Sequence, residues 1–138
     1  MKRLLFDINV ILDVALRRQP HFQASATLWA AIELGKAEGL VSGHAATTIY
    51  YLFAQAHGKA AAGQSLALLM RLFTVAATDG PTIQEALDSG AGDFEDAVTA
   101  AAARRASCDF IVTRDPKGFR GSKVRALSPE AVLPLLIV

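Results

Sequence analysis

The feature that most restricts this chain is the alternation of short apolar runs with longer helical stretches, because strands separated by helices of ten or more residues build parallel β-α-β units. Lys2 to Phe6 reads as a first strand and ends at Asp7 and Asn9, both helix-capping types. Val10, Ile11, Val14 and Leu16 then share one helical face, with Arg17 and Arg18 at its C-terminal end. A second helix is expected from Phe22 to Ala37, stopped by the Glu38-Gly39 step, and a second strand from Leu40 to Ser42. His44 to His57 and Ala60 to Arg71 read as helices divided by Gly58, and Phe73 to Ala77 as a strand before an Asp79-Gly80-Pro81 turn. A short helix from Thr82 to Leu87 and a polar loop from Asp88 to Gly92 follow. Asp93 opens an alanine-rich helix to about Ser107, Phe110 to Thr113 and Val124 to Leu127 read as strands, and Pro129 to Leu135 as a closing helix. The expected class is α/β, a three-layer arrangement with a central parallel sheet flanked by helices.

With 138 residues and no repeat or linker, the chain is expected to form one domain over residues 1–138. A hydrophobic fraction of 52% excludes a disordered chain, and the apolar runs are broken too often to span a bilayer. Only Leu4, Leu5 and Phe6 separate the basic start from Asp7, too few for a secretory leader, so a cytoplasmic protein without a membrane partner is expected. The single Cys108 has no disulfide partner and no metal-ligand spacing, and reads as a small packing residue.

A formal net charge of +1 provides no general attraction to nucleic acid, so any such binding must be local. The candidates are Arg17 with Arg18, Arg104 with Arg105, and the group Arg114, Lys117, Arg120, Lys123 and Arg125. The two pairs read as solvated faces. The group differs because it follows an acidic strand end, where phosphate contacts are useful.

Ligands of open α/β sheets bind outside the carboxyl ends of the strands. Asp7 follows the first strand, Asp115 follows Phe110 to Thr113 after one Arg, and Asp96 lies in the first turn of the helix before that strand. Singly, each has a plainer role as a cap or turn residue; together they converge on one end of the sheet. Two carboxylates at ~4 Å repel by roughly 4 kcal/mol at an effective dielectric of about 20. A divalent cation removes that cost, and hard oxygen ligands point to Mg2+ or Mn2+ and to phosphodiester hydrolysis. Asp93 reads as the helix cap and Asp96, three residues on, as the ligand.

The stretches Phe6-Asp7-Ile8-Asn9-Val10-Ile11-Leu12-Asp13, Asp93-Phe94-Glu95-Asp96-Ala97 and Ile111-Val112-Thr113-Arg114-Asp115, in this order and spacing, resemble the PIN-domain family, and within it the VapC-like toxins of bacterial toxin-antitoxin pairs. The resemblance covers nearly the whole chain. It implies a Mg2+- or Mn2+-dependent endoribonuclease, an RNA substrate, an antitoxin protein partner and a homodimer. It also implies that Asp7, Asp96 and Asp115 are the catalytic, metal-binding acids and that Asn9 and Thr113 orient them.

One position departs from the family pattern: Thr48-Ile49-Tyr50-Tyr51 stands where a glutamate is usual at the first place, so Thr48 brings one negative charge fewer. The alternative is therefore a PIN-like binding module with weakened or lost catalysis. His44 reads as a poor substitute ligand for magnesium, Asp13 as a solvent-facing helix residue, and His21 and His57 as helix-boundary residues. A phosphoacceptor signalling domain lacks its acceptor phrase here, and a haloacid-dehalogenase-like phosphatase wants Asp where Asn9 stands. Finally, Tyr50, Tyr51, Phe53, Leu68, Leu69, Met70 and Leu72 exceed what one helix face normally buries, which fits a partner surface or, equally, an ordinary core.

Overall fold

The computed structural model describes residues 1–136. The strands are β1 (Arg3–Phe6), β2 (Glu38–Ser42), β3 (Phe73–Ala76), β4 (Phe110–Val112) and β5 (Arg125–Leu127). The helices are α1 (Ile8–Ala15), α2 (Phe22–Glu33), α3 (Gly43–His57), α4 (Lys59–Leu72), α5 (Gly80–Asp88), α6 (Phe94–Arg105) and α7 (Pro129–Val132). The five strands form one sheet in the order β3-β2-β1-β4-β5, with every neighbouring pair parallel.

Two-residue periodicity divides the strands between two faces. Leu4 and Phe6 of β1 join Val41, Phe73 and Val112 in a core with residues of α1, α2 and α3. Leu5 joins Leu40, Ala76 and Ile111 on the other face, against Ala102 and Ala103 of α6. A central strand covered on both sides has no solvent face, which is why β1 reads as a continuous apolar run. The alanines of α6 let its backbone approach the sheet closely; Ala102 and Ala103 are fully buried. Cys108 packs in this second core, and burial pushes its thiol up to about 11, so it is a packing residue.

Several boundaries differ from the sequence expectation. α1 ends at Ala15, because Arg17 adopts a left-handed φ of 51°. α2 ends at Glu33 instead of Ala37, and Gly35, at φ 74°, makes the reversal expected of Glu38-Gly39. Glu38 and Gly39 belong to β2, where a Cβ on Gly39 would lie 2.6 Å from the Phe73 ring. Asp79-Gly80-Pro81 starts α5 instead of forming a free turn: Asp79 accepts from the Thr82 amide at 3.2 Å, and Pro81 occupies the first turn, where no amide donor is missed. The closing helix stops at Val132 and tightens into a 3-10 turn over Leu133–Leu136, since Pro134 has no N–H for an α-helical bond. Of the apolar side chains on α3 and α4, Phe53 and Leu69 are buried, whereas Tyr51, Leu68 and Met70 are more than half exposed.

Candidate active site

Asp7 leaves β1 at its carboxyl end and caps α1. Its amide donates to the Val112 carbonyl at 2.9 Å, continuing the β1–β4 ladder by one residue. Its Oδ1 accepts from the Ile8 amide at 2.9 Å, and its Oδ2 accepts from Thr113 Oγ1 at 3.0 Å. Thr113, itself buried, follows β4, and the same Oγ1 accepts from the Asp115 amide at 3.2 Å. One hydroxyl thus ties the acid after β1 to the loop that carries the acid after β4. Burial raises the carboxyl of Asp7 above its ordinary range, against the opposing effects of these hydrogen bonds and of His44 and Arg114.

Asp96 reaches the same edge from the first turn of α6. Asp93 is the cap of that helix, its Oδ1 accepting from the Asp96 amide at 2.9 Å. Burial, followed by the charges of Asp93, Asp7, Glu95 and Asp115, pushes the Asp96 carboxyl up to about 6. The point where carboxylates converge lies beside Gly118: a Cβ there would stand 3.0 Å from Asp96 Oδ2 and 3.6 Å from Asp115 Oδ2. Asp7, Asp96 and Asp115 therefore occupy one end of the sheet, with a glycine leaving space between two of them.

Asp13 is a correction. It is 0% exposed rather than solvent-facing, with Arg114 Nε 3.0 Å from its Oδ2 and an Arg18 guanidinium nitrogen 4.0 Å from its Oδ1. Arg114 is thereby drawn away from the expected basic group and fastens the β4 loop to α1. Asp13 sits inside the apolar run Val10 to Val14, which was the signal in the sequence for an inward-facing acid. Asn9 is exposed, and its Oδ1 lies 3.5 Å from Arg18 instead of bonding Asp7.

The Nδ1 of His44 lies 2.9 Å from Ser42 Oγ, and its Nε2 is buried with no hydrogen-bond partner among the described residues. Burial lowers its pKa, while the charges of Glu95 and Asp7 act in the opposite direction. Thr48 lies one turn further along α3 and is half-buried.

The donor set suits a hard divalent cation in chemistry: carboxylates of Asp7, Asp96 and Asp115, one pair facing the same space at Gly118. Among the described residues, however, no three His, Cys, Asp or Glu side chains stand close enough to ligate one ion together. Around the acids, Lys117, Arg120 and Lys123 are exposed and form no ion pair among the described residues. Also among these residues, no helix is long and apolar enough to cross a membrane.

Solved structures with the same fold include VapC20 of Mycobacterium tuberculosis, at 15% identity over 78% of this chain and 86% of that one, with a TM-score of 0.62. FitAcB from Neisseria gonorrhoeae matches at 20% identity over 92% and 98% of the two chains, with a TM-score of 0.69. PAE2754 from Pyrobaculum aerophilum matches at 20% identity over 98% and 95%, with a TM-score of 0.61. No curated protein sequence matches the chain. The family model of the PIN domain matches residues 3–117, a span that contains β1 to β4 and all three acids, and the chain belongs to the PIN-domain family.

Proposed function

We propose that this protein is a divalent-metal-dependent endoribonuclease, the toxin of a toxin-antitoxin pair, with Asp7, Asp96 and Asp115 as its metal-holding and catalytic acids. The observation that carries the reading is the Thr113 hydroxyl, which bonds Asp7 and the Asp115 amide at once and so fixes two acids from separate strands relative to each other. The Mycobacterium tuberculosis neighbour is a sarcin-ricin-loop-cleaving toxin, which agrees with RNA as the substrate class. When bound, Mg2+ or Mn2+ would supply charge neutralisation at the scissile phosphate and activation of water. The chain's own part is to orient Asp7 through Thr113 and Ile8, to hold Asp96 in its cap-fixed position on α6, and to offer Lys117 and Arg120 to the RNA backbone. The exposed Tyr51, Leu68 and Met70 are the surface for the antitoxin or for a second copy.

The test is cleavage of an unstructured RNA panel with Mn2+, Mg2+ or EDTA, paired with calorimetry of Mn2+ binding. Cleavage by the wild type in Mn2+, lost in EDTA and in Asp7→Asn or Asp96→Asn, supports the enzyme. A second reading, a PIN-fold RNA-binding module, draws on Thr48 and on the spacing of the acids, and predicts RNA binding without cleavage in any metal.

A further inference from the structure

A cavity of about 480 Å³ opens between α5, α6 and the loop from Gly118 to Lys123, and Asp96 borders it at one end. That volume lies within the ~300–1,000 Å³ of small-molecule sites. Its floor is the face of α6 carrying Ala97, Ala100 and Ala101, which leaves a smooth surface with nothing beyond Cβ, next to Phe119. Arg120 and Lys123 stand on its loop side, exposed and unpaired among the described residues. Glu85 and Arg104, bonded to each other, also line it and bring both acceptors and donors.

We propose that this cavity is a nucleotide subsite, holding the nucleotide beside the scissile phosphate with its base against the alanine face of α6 and its outer phosphate at Arg120 and Lys123. The proposal rests on the nuclease reading for its orientation, since Asp96 is shared by the cavity and the acid cluster. Three features select a nucleotide. A flat base fits a floor of alanines, its polar edge meets the Glu85–Arg104 pair, and the two lining cations that form no ion pair among the described residues, Arg120 and Lys123, stand three residues apart on one loop, where a single phosphate would sit. An acidic peptide would bring its charges along the whole cavity, including the carboxylates of Glu85, Asp88 and Asp96.

The test uses the full chain and fluorescein-labelled hexauridylate, with binding read by anisotropy at low salt in EDTA so that no cleavage intervenes. Ala100→Leu fills the floor without adding charge, and Lys123→Glu reverses the charge at the loop side. Each is expected to weaken binding by fivefold or more while Mn2+ affinity, measured separately, stays that of the wild type. In Mn2+ the same variants should raise KM for RNA with little change in kcat. Wild-type affinity in both variants overturns the subsite, as does hexaglutamate displacing the probe as well as unlabelled hexauridylate does. Lys123 is on an exposed loop, so Lys123→Glu decides the matter if Ala100→Leu lowers the Tm. The two readings fail separately: probe binding that responds to both variants without any cleavage sinks only the nuclease, and cleavage with unchanged KM in both sinks only the subsite.

Discussion

Thr113 Oγ1 donates to Asp7 Oδ2 at 3.0 Å while accepting from the Asp115 amide at 3.2 Å, so one buried hydroxyl couples the ends of two neighbouring strands. Thr113→Val keeps the shape and removes both bonds. Groups that orient a metal ligand are typically worth about 10- to 100-fold in metal affinity. Calorimetry should show Mn2+ binding weaker by about that factor, with stability reduced by only about 1 kcal/mol. Unchanged Mn2+ affinity would mean that Asp7 does not contribute to a metal site.

The raised carboxyl of Asp96 predicts a pH dependence of stability without metal. Its folded value of about 6 lies above the ordinary 3.8. Between those values the folded protein keeps a proton that the unfolded chain has released, so stability should fall as pH rises from about 4 to 6 and then level off. Asp96→Asn should flatten that part of the profile. Urea denaturation of both proteins in EDTA at pH 4.5, 5.5 and 7 measures the difference, and added Mn2+ should restore wild-type stability most at pH 7.

The pair formed by Asp13 and Arg114 should be asymmetric. Asp13 is 0% exposed whereas the Arg114 side chain is 30% exposed. Arg114→Met leaves a buried carboxylate without its nearest partner and is expected to cost about 3 kcal/mol. Asp13→Asn removes the buried charge and lets Arg114 turn to water, so it should cost clearly less. Equal losses in urea denaturation would show that burial of the carboxylate is not what sets the cost.

Gly39→Ala tests the packing beneath β2. The added Cβ would lie 2.6 Å and 2.7 Å from two atoms of the Phe73 ring, itself buried against Phe6 and Trp29. Overpacking of this kind costs about 1–3 kcal/mol. A thermal melt should show the loss, and Mn2+ affinity should not change because the site lies at the other end of the strand.

Thr48→Glu addresses the position where the family usually has an acid. If the new carboxylate joins the cluster, Mn2+ should bind about tenfold more tightly, equivalent to about 1.4 kcal/mol. RNA cleavage should rise with it, and Asp7→Ala in the same background should cancel both gains. Unchanged Mn2+ affinity would show that Thr48 does not face the acids; tighter metal without cleavage would favour the binding module.

The alternation of strands and helices, and the placement of Asp7 and Asp115 after β1 and β4, were legible in the sequence because strand runs, helix caps and β-α-β connections are local patterns. The PIN-domain relationship was legible for the same reason, from three short phrases in order. The early end of α2 was not, since Glu38 and Gly39 look like a helix stop until β2 pairs with β1 and Phe73 covers the glycine. Asp13 was misjudged for a related reason: what surrounds it comes from Arg114 in a distant loop. Burial and charge environment depend on segments remote in sequence, so tertiary packing alone decided which way that side chain faces and what it meets.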